Sequence, residues 1–170
     1  ELVAANPQVS QIDLAQALGT DRATMMAVVD RLDERGLILR RKSRSDGRRQ
    51  ELSLSAAGGR LLGEARDRIA AHEAALSEYA HERLRRMNGI RIYGEAKGKG
   101  AILSFNMEGA HPHDVATVID RAGVAVRAGT HCAQPLLTRF GTTATCRASF
   151  AMYNTLAEVD ALADALAKAS

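Results

Sequence analysis

The stretch SQIDLAQALGTDRATMMAVVDRLDERG, residues 10–36, decides how the first half of the chain folds. Ser10 is suited to cap a helix whose apolar stripe is Ile12, Leu14, Ala15 and Leu18, with Gly19 supplying the turn that ends it. Thr20 or Asp21 then caps a second helix, with Met25, Val28, Val29 and Leu32 facing inward and Gly36 as its stop. Two short helices joined by a glycine-bearing turn predict a helix-turn-helix.

Immediately downstream, LILRRKSRSDGRRQELSLS reads as two strands, Leu37–Leu39 and Leu52–Leu54, joined by a basic loop. Such a hairpin is a wing. Between Arg40 and Arg49 stand Arg40, Arg41, Lys42, Arg44, Arg48 and Arg49 against one acid, Asp46, the densest charge feature of the chain. A recognition helix reads base edges while flanking cations neutralise phosphates, so Arg22, Thr24, Arg44, Arg48 and Arg49 are the candidate DNA-binding residues. The competing reading of the charge run is a solvated hairpin. From Ala57 to Arg86 the pattern is one long helix with a well-charged polar face.

The 170 residues carry a net charge of +3 and are 46% hydrophobic, which suits one ordinary domain or two small ones. So mild a basic excess permits an anionic partner without demanding one. No segment approaches the roughly 18 to 20 apolar residues that span a bilayer, and no basic-then-apolar signal opens the chain, so the expectation is a cytoplasmic protein without membrane contact. Its two cysteines, Cys132 and Cys146, are expected to be reduced. The chain opens on Glu1 rather than Met, which suggests a missing natural start.

Beyond Arg86 the pattern changes to short β-branched runs punctuated by glycine, in the order β, β, α, β, loop, β, α. This places a module boundary there, with residues 1–86 and 87–170 as the two domains. The last element, opened by Thr155, is an amphipathic helix. In RAGTHCAQPL, residues 127–136, Cys132 sits on a turn beside His131 with Arg127 upstream. A thiol in such a setting is a candidate nucleophile, because exposure and a nearby cation or base favour the thiolate. Cys146, inside an alternating strand, reads as a small buried apolar residue. His111, His113, Asp114, His131 and Cys132 do not form a familiar ligand framework, so no metal site is expected, and HPHD is better read as the start of a helix.

Residues 2–86 resemble the winged-helix core of MarR-type transcriptional regulators, through LAQALGTDRATMMAVVDRLDERGLI and SDGRRQELSLSAAG. The resemblance implies a DNA partner, a homodimer, and a wing braced by Asp46 with Arg48. Members dimerise through first and last helices, and this chain begins inside the second helix of that pattern and leaves it after Arg86.

Residues 89–168 resemble the C-terminal domain of group II, SufS-type cysteine desulfurases, through RIYGEAKGKGAILSFNMEGAHPHDVATVIDRAGVAVRAGTHCAQPLLTRFG and CRASFAMYNTLAEVDAL. The implied fold is α+β throughout: a winged helix-turn-helix module followed by a small α+β domain of the aminotransferase class V C-terminal type. The resemblance implies that Cys132 is the persulfide acceptor, that Arg147 and His131 bind substrate, and that a sulfur-acceptor protein is a partner. Thr130 stands where the family often has His. Pyridoxal phosphate is implied too, but the chain's lysines are Lys42, Lys97, Lys99 and Lys168, and none lies in the family's cofactor-lysine context. The expectation is therefore no autonomous cofactor and no desulfuration by this chain alone.

Three functional readings follow: a DNA-binding regulator module joined to a persulfide-loop domain, a desulfurase fragment that needs a separate cofactor domain, and a chance gene fusion whose halves are uncoupled.

Overall fold

The computed structural model describes residues 1–43 and 49–169, and its chain forms two compact units, Glu1–Arg68 and Ile69–Ser170. This division falls earlier than the one expected at Arg86, and the reason is packing. The long helix α4 (Ala56–Arg85) sends Leu76, Ala80 and Leu84 into the core of the second unit, so its C-terminal half belongs there.

In the first unit, α1 (Leu2–Ala5) and β1 (Val9–Ser10) precede α2 (Gln11–Ala17), α3 (Arg22–Glu34), β2 (Ile38–Lys42), β3 (Gln50–Leu54) and the start of α4. The α2–turn–α3 pair follows the expected caps. Ser10 and Asp13 form a reciprocal capping box on α2, and the Asp21 carboxylate accepts from the Thr24 N–H at the start of α3. The three strands are antiparallel in the order β1-β3-β2, with Ile38 opposite Leu54 and Lys42 opposite Gln50. Leu14, Ala15, Met25, Val29, Ile38 and Leu52 make the core. Ile12 and Leu18, expected in the α2 stripe, are half exposed. Ile12 lies about 160° round the helix from Leu14, and Leu18 is the C-cap residue, already leaving the helical path.

In the second unit, β4 (Ile90–Tyr93), β5 (Ile102–Met107), β6 (Arg127–Gly129) and β7 (Thr145–Ser149) form an antiparallel sheet in the order β4-β5-β7-β6. Alternation sorts its two faces. Leu103, Phe105, Met107, Cys146 and Ala148 point into one core with α4, α5 (Pro112–Asp120) and α7 (Leu156–Ala169). Tyr93, Ser104, Thr145 and Arg147 occupy the opposite face. His111 caps α5 with Pro112 in the first turn, as HPHD predicts. Where the sequence reads as a loop, a short helix α6 (Gln134–Arg139) bridges β6 to β7.

Candidate functional site

The second unit's polar sheet face and the β6–α6 turn enclose an open cavity of about 240 Å³, lined by Tyr93, Ser104, Thr130, His131, Thr145 and Arg147 among others. Register explains why the arginines meet. Arg147 on β7 lies directly between Ser104 on β5 and Arg127 on β6, so the two guanidinium-bearing residues are cross-strand neighbours on one face. Like charges in that relation repel. Among the described residues neither forms an ion pair, and Arg147 Nε is buried without a protein partner. A face that holds two cations together without an acid is suited to an anion, and guanidinium pairs suit a carboxylate.

The turn above this face is strained. His131 and Cys132 both take left-handed backbone angles, φ 53° and 58°, unusual for one non-glycine residue and more so for two in sequence. Two hydrogen bonds hold it there: the Ala133 N–H donates to the Thr130 carbonyl at 2.9 Å, and His131 Nε2–H donates to the Thr145 carbonyl at 2.9 Å. His131 is thereby fixed with Nδ1 as the acceptor nitrogen. That atom is buried and unpartnered, as is Thr145 Oγ1 in the same cavity wall. Cys132, between the lining residues His131 and Ala133, is exposed.

Cys146 behaves in the opposite way. Its Sγ–H donates to the Pro112 carbonyl at 3.1 Å, it is fully buried, and burial pushes its pKa up to about 11. Of the expected residues, Cys132, His131 and Arg147 therefore come together in space. Arg127, Ser104 and Tyr93 join them, and strand alternation around RASF and LSFN is the signal that would have found Ser104. No lysine lines the cavity. Among the described residues no three His, Cys, Asp or Glu side chains gather as a metal cluster.

In the first unit Arg22 is exposed at the start of α3. Thr24 is exposed too, but its hydroxyl donates to the Asp21 carboxylate at 2.5 Å, so its donor serves the cap. Arg49 at the base of the wing donates to Asp13 Oδ2 at 2.6 Å and to Ser10 Oγ at 3.2 Å, tying the hairpin to the cap of α2. Those contacts hold the Asp13 carboxyl below its ordinary range, the Ser10 hydroxyl contributing most and Arg49 adding to it. Arg40 on β2 is paired likewise with Asp30 and Asp33 of α3. Arg44, Asp46 and Arg48 lie outside the described residues.

A four-stranded antiparallel sheet with helices on one face, and a thiol turn over paired arginines on the other, defines the small α+β domain type that the sequence predicts. Comparison with known proteins gives the family. Residues 55–162 match the aminotransferase class-V family, more than half of the chain, and the chain belongs to it. Residues 1–49 match the MarR family. A "Probable cysteine desulfurase" of Halalkalibacterium halodurans is 53% identical over 102 residues, which is 60% of this chain and 25% of that protein. Among solved structures, the apo cysteine desulfurase of Thermococcus onnurineus NA1 is 35% identical, with a TM-score of 0.58 over 61% of this chain and 26% of that one. The Escherichia coli cysteine desulfurase CsdA, in an S-sulfonic acid form, is 40% identical with a TM-score of 0.53 over 57% and 24%. The chain thus joins a MarR-like region to a cysteine desulfurase-like region, and spans about a quarter of the length of the desulfurases it matches.

Proposed function

We propose that this chain is a DNA-binding regulator module joined to a sulfur-accepting domain in which Cys132 takes up a sulfur atom as a persulfide. The observation that carries the sulfur half is the exposed Cys132, held on a strained turn at the edge of a cavity that is lined by Arg147 and no acid, with Arg127 the cross-strand neighbour of Arg147. The two guanidiniums clamp the carboxylate of a cysteine substrate. The turn aims Sγ at the substrate's sulfur, and the Thr145 carbonyl keeps His131 Nδ1 free to accept a proton or a hydrogen bond.

The relatives imply pyridoxal phosphate. The cavity offers no lysine to hold it, so the residues described do not fit as its binding site. What they fit is the face toward which a substrate is presented when other residues hold the cofactor. A mixing experiment tests this. When the chain is added to a cofactor-loaded desulfurase whose own loop thiol has been replaced, a gain of one sulfur atom in mass should appear without reductant, and sulfide should be released once a dithiol is added to reduce the persulfide. Cys132→Ser should abolish both, and no gain with the native chain would overturn the reading.

The DNA half rests on α3, which presents Arg22 beside a wing anchored through Arg49 to Asp13. Phosphate contacts make binding salt-sensitive. Arg22→Ala should weaken binding to duplex DNA in fluorescence anisotropy and lessen its dependence on salt. A homodimer would place two such helices on two half-sites, and the stoichiometry of the complex reports it.

A further inference from the structure

We propose that a second cavity, away from the Cys132 face, is a binding site for a protonated phosphate group. It has a volume of about 380 Å³ and lies between the last turns of α4 and the connection Gly94–Gly100 that joins β4 to β5. His81 and Arg85 are four residues apart and share one stripe of α4. Gly94 and Gly98, both left-handed at φ 73° and 71°, fold the connection over that stripe and bring Lys97 and Lys99 to it.

The ring of His81 sets the specificity. It is only 6% exposed, and Nδ1–H donates to the Ser77 carbonyl at 2.6 Å. The proton being on Nδ1, Nε2 carries the lone pair, and this buried atom has no protein partner. A buried acceptor calls for a donor. Three cations line the same cavity: Arg85, Lys97 and Lys99. Glu95 engages Arg85 at 2.5 Å, Lys99 Nζ donates to the Gly94 carbonyl at 2.6 Å, and Glu78 is the remaining acid on the wall. Burial lowers the His81 pKa, with Lys99 and Arg85 adding to the effect and the Ser77 carbonyl and Glu95 opposing it.

A ligand that satisfies this wall must carry negative charge for the cations and an O–H for Nε2. Hydrogen phosphate and protonated phosphate monoesters do both. Sulfate carries the charge but has no proton near neutral pH, so it cannot donate to Nε2.

The test uses the full chain slightly below neutral pH, titrated with inorganic phosphate, glycerol phosphate and sulfate while the His81 ring nitrogens are followed by NMR. Inorganic phosphate or the monoester should shift the Nε2 resonance and bind about tenfold or more tightly than sulfate, the worth of one hydrogen bond to a charged ligand. Whichever of the two binds more tightly identifies free phosphate or a phosphorylated metabolite as the natural source. Lys97→Ala, on the exposed rim, should weaken binding several-fold and leave the fold intact. Equal binding of sulfate and phosphate, or an unmoved Nε2 resonance under saturating phosphate, would overturn the proposal.

Discussion

Arg127 and Arg147 stand opposite each other across β6 and β7, two arginines in direct register on one face of the sheet. Their repulsion is relieved when an anion binds between them, so the pair should contribute more to substrate capture than to stability. Arg147→Ala is expected to weaken capture of a cysteine carboxylate about tenfold or more. Arg147→Lys should recover only part of it, because an ammonium cannot make the two parallel hydrogen bonds of a guanidinium. The mixing assay, run over a range of cysteine concentrations, separates this loss of capture from loss of Cys132 itself.

That relationship shows where the sequence stops being informative. RASF and RAG each reveal an arginine on a strand, but only the register, with Arg127 opposite Arg147 and Gly129 opposite Thr145, makes them neighbours. Local signals were readable wherever a residue acts on its own segment: the Ser10 and Asp21 caps, the His111-Pro112 helix start, and the buried Leu14, Met25 and Val29. The helix α6 escaped because its six residues are too few for a period to show. The end of the first unit escaped because α4 is one unbroken helix that the division crosses at Arg68, and only Leu76, Ala80 and Leu84, further along it, enter the core of the second unit.

The two thiols should differ sharply in reactivity. Cys132 is exposed, while Cys146 is buried, bonded to the Pro112 carbonyl and held protonated by a pKa of about 11. Thiolate is the reactive form. Iodoacetamide at mildly alkaline pH should therefore add one group to the native chain, on Cys132, and two after unfolding. Intact mass before and after denaturant checks this, and a second adduct on the folded chain would contradict the burial of Cys146.

Among the described glycines of the first unit, Gly58 is the one whose added Cβ would collide with a neighbour. A Cβ built there falls 1.9 Å from the Leu37 carbonyl oxygen, a backbone atom that also accepts from the Ser55 N–H at 3.1 Å and so cannot easily move. Gly58→Ala is expected to destabilise the first unit by about 2–4 kcal/mol, the cost of forced overpacking against rigid backbone. Gly59→Ala, one residue on in the same helix with nothing within 4 Å of the added carbon, should be neutral or slightly stabilising. Chemical denaturation of the two variants gives the comparison, and equal midpoints would show that α4 can shift away from Leu37.

His81 should make the second unit sensitive to mild acid. Burial favours the neutral ring, so its pKa in the folded chain lies below the ordinary value of about 6.5. The unfolded chain then binds the proton more readily. Stability is complete above about pH 6.5 and falls as the pH drops through that value toward the lower folded pKa, where the ring protonates in both states. Glu95 lies in the same wall, but its pKa is lowered by Arg85, so it holds its charge through this window and does not produce the slope. Melting temperature measured between about pH 7.5 and 5 should decline over the lower part of that range. In His81→Gln, which keeps a polar side chain without a titrating ring, the decline should be reduced. An unchanged slope in that variant would assign the acid sensitivity to another group.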